Sequence, residues 1–249
     1  MAQNDTQPQR KGSKPISETS ASGGGSRRVL WIVVGVAIAL IVLLAAVALL
    51  NNGDSNSSTP EVATGQTVAE RVGQPVDRRV VGDPAAPVLI EAYEDVQCPH
   101  CQRYTEALED TILDELVAQG IARYEYKHRF VIGADSITAG TAMECAADQG
   151  LFWEYHNALF AAAPNNASAV QAASLKRLAA DTGLDTDEFD QCFDSRKHYE
   201  KMLREDNEAR DRNVDATPTI FINGVKYQGD FAPEPFIAAV KAAATATGS

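Results

Sequence analysis

The sequence predicts an α/β fold that carries an all-helical insertion and is preceded by one membrane-spanning helix. Three observations predict it. Residues 29–50 hold no charged side chain. Two strand-like segments, 88–93 and 121–126, bracket a helical pattern, and a hairpin signal follows at Asn223-Gly224. Between these, from about 136 to 212, apolar residues recur at helical spacing.

The N-terminal region is read first. At about 1.5 Å per residue, the 22 residues 29–50 make a helix of roughly 33 Å, enough to cross a hydrocarbon core of about 30 Å. A cleavable signal peptide has a shorter apolar region, and Asn51-Asn-Gly-Asp is a poor cleavage context, so the expectation is an uncleaved anchor. Arg27 and Arg28 abut its N-terminal end, which leaves residues 1–28 in the cytoplasm as a disordered tail and exports the rest. Residues 51–80, polar and then rich in Gly, Pro and Val, are expected to be a linker, and 81–249 the folded domain. Beyond Arg28 the chain has 17 basic and 32 acidic residues, a balance that argues against nucleic-acid binding. All four cysteines lie in this exported part, where disulfides persist.

The domain's elements follow in order. Val88-Leu-Ile-Glu-Ala-Tyr93, after the breaker Pro84-Ala-Ala-Pro87, reads as a buried strand. Leu108, Ile112, Leu116 and Val117 mark a helix over 104–118 closed by Gly120, and 121–126 alternates as a second strand. Amphipathic segments at 136–148, 151–162, 168–182, 186–193 and 196–212 form the insertion. Residues 219–222 and 225–227 flank Asn223-Gly224 as a hairpin, and a last helix covers about 233–244.

Cys98-Pro99-His100-Cys101 therefore sits where a strand ends and a helix begins. As residues alone, it reads as a reactive dithiol, a structural closure or half of a metal site. Cys145 and Cys192 lie in the helical block without paired spacing; an exported location favours a structural disulfide between them over two free thiols. Such a bridge would stabilise by about 3–4 kcal/mol on the chain-entropy model. A zinc site would need all four cysteines to converge, and no metal is expected.

With "DVQCPHC", "AMECAADQGLFWEYHNALF" and "VDATPTIFING" in place, the chain resembles the DsbA family of thiol–disulfide oxidoreductases, particularly its membrane-anchored forms, over residues 81–243. The resemblance implies a thioredoxin-like fold with the helical insertion, and an oxidase that introduces disulfides into exported, reduced polypeptides without a cofactor. It implies that Cys98 forms the mixed disulfide and that Cys101 is the buried resolving thiol. It also implies a cis Thr217-Pro218 bond beside the dithiol, leaving the Thr217 backbone to pair with substrate, and a quinone-linked membrane reoxidase of the DsbB or vitamin K epoxide reductase type.

The local chemistry agrees with that role. Cys98 at a helix N-terminus meets free N–H groups that favour a thiolate; Pro99 is tolerated in the first turn, and His100, when cationic, adds positive charge. Glu91, Glu94 and Asp95 read equally as proton carriers for Cys101 or as solvated and capping carboxylates; Ala92 falls near the family's acid position. His128, His156 and His198 read as surface or packing histidines, and Phe152, Trp153 and Phe160 as core. Two rivals remain: a reductase or isomerase fed by a transmembrane donor, and a non-catalytic chaperone or assembly module.

Overall fold

A computed structural model describes residues 66–163 and 166–247. The span expected at 29–50 and the tail before it lie outside those residues. Among the described residues no helix is long and apolar enough to cross a membrane.

The first element lies inside the expected linker. α1 (Val68–Val72) opens with a capping box: Thr67 Oγ1 accepts from the Glu70 N–H, and the Glu70 carboxylate accepts from the Thr67 N–H. β1 (Val76–Asp77) and β2 (Val80–Val81) follow, antiparallel to each other. The domain thus begins before the boundary read at residue 81. Two-residue strands are too short to show a periodicity, and pairing alone reveals them.

β3 (Val88–Glu94) leads through a long helix into β4 (Ala122–His128), and the two strands pair in parallel, as a crossover connection requires. The connecting helix starts as α2 (Pro99–Tyr104), widens to a π turn over Thr105–Glu109, regains α geometry as α3 (Asp110–Ile112) and widens again over Leu113–Val117. Each π turn admits an extra residue and shifts the inward stripe. Neighbours in sequence are buried together as a result: Leu108 with Glu109, Ile112 with Leu113, Leu116 with Val117.

The insertion comprises α4 (Ala134–Asp148), α5 (Phe152–Ala162), α6 (Ala172–Asp181), α7 (Thr186–Asp194) and α8 (Tyr199–Asp211). α4 departs from the amphipathic expectation. Residues 139–147 are all buried, so over this stretch the helix is enclosed on every side. Its Gly140 lies so close to the Phe130 ring that an added Cβ would come within 3.0 Å of it. β5 (Thr219–Ile222), β6 (Val225–Lys226) and α9 (Pro233–Thr247) complete the domain. Asn223 and Gly224 take φ of 49° and 77°, the left-handed pair that a two-residue hairpin needs.

The six strands run in the order β1-β2-β4-β3-β5-β6. Along β4 the buried residues alternate with half-buried ones, and Tyr124 and Tyr126 carry the sheet into the core under α5. Tyr124 stacks on Trp153 at 5.3 Å, and Tyr126 packs edge-on to His156 at 5.2 Å. The antiparallel register of β3 and β5 sets Tyr93 opposite Thr219. Thr217 and Pro218 therefore lie just past the end of β3, where the CPHC segment begins.

Candidate active site

Strand β3 delivers the site by ending at Glu94. The chain turns through Asp95–Gln97 and places Cys98 as the N-cap of α2, with Pro99 at the first helical position. Cys98 is 6% exposed and Cys101 is fully buried, both as free thiols. Across the gap, the Thr217-Pro218 bond is cis, and the Thr217 carbonyl accepts from Cys98 Sγ at 3.4 Å. A groove of about 840 Å³ runs beside them, lined among others by His100, Arg103, Tyr104, Pro218 and Phe231.

The two sulfurs are electrostatically opposite. The Cys98 thiol is pulled down to about 5, first by the Cys101 thiol that donates to it. The Thr217 side chain and the backbone N–H groups of Cys101 and His100 add to this, against an upward push from burial. The Cys101 thiol is pushed far up, mainly by burial, then by its partnership with Cys98 and by the charge of Glu94. The His100 ring itself is turned away: its Nδ1 lies 2.7 Å from Arg103 Nη2. Because a guanidinium only donates, Nδ1 must accept, and His100 contributes to the site through its backbone N–H.

The three acids before the dithiol separate by face. Glu91 pairs with Arg212 at 2.7 Å on the side of the sheet where Tyr93 and Phe221 pack, away from the sulfurs. Asp95 is a capping carboxylate. It accepts from the N–H groups of Gln97, Val131 and Ile132 and from Ser136 Oγ, while its own N–H points to Cys101 Sγ at 3.5 Å. Glu94 is fully buried beneath Cys101 and held well above the usual carboxylate range by burial and by Glu109. Its carboxyl accepts from Tyr124 Oη at 3.3 Å and Thr105 Oγ1 at 3.4 Å. A neutral acid beside a thiol that resists ionisation can give or take its proton.

The other predicted residues lie elsewhere. Cys145 and Cys192 are bonded to each other between α4 and α7, which removes them from any metal site with Cys98 and Cys101. His128 and His156 are buried; His128 faces Glu144 at 3.2 Å, and His198, partly covered, faces Asp148 at 2.7 Å. Sequence reasoning missed Glu109. Its place next to Leu108 suggests the edge of an apolar stripe, and only the π turn brings it inside.

The sequence profile of the thioredoxin family, described simply as thioredoxin, matches residues 75–242. The chain belongs to the thioredoxin family. Among solved structures, this thioredoxin-family chain is similar to BdbD from Bacillus subtilis, with a TM-score of 0.62 at 22% identity over 69% of this chain and 96% of that one. It is also similar to the DsbA of Mycobacterium tuberculosis, with a TM-score of 0.54 at 27% identity over 67% and 89%. The likeness to BdbD shows the fold, and the likeness to the M. tuberculosis DsbA supports an oxidoreductase. A curated relative, the Na(+)/H(+) antiporter NhaA 3 of Salinispora tropica, is 31% identical over 66% of this chain and 24% of its own length. The chain thus spans about a quarter of the curated relatives it matches.

Proposed function

We propose that the protein is an extracytoplasmic thiol–disulfide oxidoreductase that donates the Cys98–Cys101 disulfide to reduced, exported polypeptides. The observation that carries this reading is the asymmetry of the pair: a stabilised thiolate at the groove and a buried thiol behind it. A substrate thiolate attacks Cys98 Sγ, the Cys98–Cys101 bond breaks, and Cys101 leaves and takes a proton. A second substrate thiolate then attacks the substrate sulfur of the mixed disulfide, and Cys98 departs as a thiolate. Because that thiolate is stable, the reduced enzyme is favoured and the disulfide is readily given away.

The groove beside Thr217 and Pro218 offers backbone and apolar surface to an extended peptide. Residues 29–50 would hold the domain at the membrane, within reach of a quinone-linked reoxidase of the DsbB or vitamin K epoxide reductase type. The deciding measurement is the equilibrium potential of the dithiol against glutathione. An oxidase should lie toward the DsbA value of about −120 mV; a value near the −270 mV of thioredoxin would favour the reductase reading. Cys101→Ser should accumulate mixed disulfides with substrate, and a variant that traps none would favour the non-catalytic module.

A further inference from the structure

Cys101 has no direct route to water. It is fully buried, and in the proposed reaction the substrate covers the groove in front of it. Behind it, the fold places a second acid that the reaction as written does not use. Glu109 is 3% exposed on the π turn that also carries Thr105, the residue that donates to Glu94.

The surroundings of Glu109 form a polar seam through an otherwise apolar core. His156 Nε2 lies 3.8 Å from its Oε2. The Asn157 amide, with its nitrogen turned inward, can donate to Glu109 Oε1 at 2.9 Å and to His156 Nδ1 at 2.8 Å. That orientation makes His156 Nδ1 an acceptor and leaves Nε2–H facing Glu109. Glu109 Oε2, Tyr104 Oη, Trp153 Nε1 and His156 Nε2 are all buried without a protein partner. Buried groups of this kind are ordinarily satisfied by internal water. Tyr124 joins Glu94 to the seam, stacking on Trp153 while its hydroxyl donates to the Glu94 carboxyl. The seam reaches solvent at half-buried Asn157.

We propose that Glu109 is a second proton station, through which Glu94 exchanges the Cys101 proton with solvent at the back of the domain while substrate occupies the front. This rests on the thiol–disulfide reading. When Cys101 leaves as a thiolate, it takes the proton of the Glu94 carboxyl. The Glu94 carboxylate takes the proton of Glu109, and Glu109 is reprotonated from water at the Asn157 rim. Reoxidation runs the same steps in reverse, so no proton is gained or lost over a cycle. The groups facing Glu109 are Asp110 on its own helix, Arg71 of α1, Glu94 of β3, Tyr124 of β4, His156 of α5 and Tyr104 of α2. Of these, Arg71 lowers the carboxyl, whereas burial and Asp110 raise it, to about 8. His156 is held down near 4 by burial and is neutral.

The test is time-resolved infrared difference spectroscopy on the full-length protein, started by mixing the oxidised form with an excess of a groove-filling peptide dithiol. Two buried carboxylic-acid bands should bleach and recover as Cys98–Cys101 is reduced, and Glu109→Gln should remove one. A single bleaching band in the wild type overturns the proposal, whether or not the variant folds. In kinetics, Glu109→Gln should slow exchange with a groove-filling peptide dithiol about tenfold or more. Exchange with dithiothreitol, which leaves the groove open, and the Cys98 alkylation profile should both stay as in the wild type. An unchanged pH–rate profile with the peptide also overturns the proposal. A dithiol potential near that of thioredoxin defeats the functional reading instead, and the infrared result at excess peptide then judges the relay separately.

Discussion

At Cys98, three donors from one helical turn converge on one sulfur: the Cys101 thiol and the backbone N–H groups of Cys101 and His100. A segment 119 residues away in sequence closes the other side, where the Thr217 carbonyl accepts from Cys98 Sγ. Alkylation of the reduced protein should reach half its maximal rate near pH 5, with Cys101 unlabelled throughout the same range. A midpoint close to the ordinary thiol value of about 8.5 would contradict this arrangement. His100→Ser should leave the midpoint close to the wild-type value, because the backbone N–H survives the substitution and the ring is held by Arg103 away from the sulfur. A rise toward about 8.5 would show that the ring acts directly. The cysteines and His100 were legible in the sequence as a motif. The sorting of Glu91, Glu94 and Asp95 was not, since alternation along a strand assigns faces but does not say which face the sulfur occupies.

At the scale of elements, the helical insertion is tied to the sheet by charge as well as by packing. Glu144 of α4 has a fully buried side chain and meets Arg78 at 2.6 Å, Arg79 at 3.1 Å and His128 at 3.2 Å. These partners come from the β1–β2 turn and from β4, and together they hold the Glu144 carboxyl far below the usual range. Removing one member leaves buried charge without a counterpart, so Glu144→Ala should cost about 3–5 kcal/mol in denaturant unfolding. A loss below about 1 kcal/mol would mean the cluster is as weak as a surface pair. The Cys145–Cys192 bridge joins α4 to α7 nearby, with Asp148, a second partner of Arg78, 3.8 Å from Cys192 Sγ. Replacing both cysteines with Ala should lower stability by about 3–4 kcal/mol while dithiol exchange persists. Loss of exchange in a folded double variant would make this pair a second redox centre.

For the whole molecule, ionisable groups set opposing pH limits. Asp148, held near 2 by Lys197, Arg78 and His198 against the upward push of burial, and the depressed Glu144 have folded values below their unfolded ones. Their contribution is present above the unfolded carboxylate range of about 4 and is lost as pH falls through the folded values. Glu109 behaves oppositely. Its value of about 8 lies above the unfolded one, so its contribution is complete below about 4.5 and is lost as pH rises through 8. At neutral pH the protonated Glu109 costs on the order of 3 kcal/mol relative to a neutral isostere. Glu109→Gln should therefore raise the melting temperature at pH 8 and leave it nearly unchanged at pH 4. Equal shifts at both values would show that burial, and not ionisation, governs the site.

The sequence by itself determined the element order, the strand–CxxC–helix junction, the hairpin at Asn223-Gly224 and the helical character of the insertion. Each rests on periodicity or turn chemistry within a few residues. It misplaced the start of the domain, although Thr67-Val-Ala-Glu70 carried the signature of a helix start, because the strands that follow are defined by partners on β4. Only the tertiary structure decided which acid lies beneath Cys101, that residues 139–147 of α4 are enclosed on all sides, and that Glu109 points inward. A carboxylate's role depends on what surrounds it in three dimensions, and here the surroundings come from β3, β4, a π turn and α5, which the chain order keeps far apart.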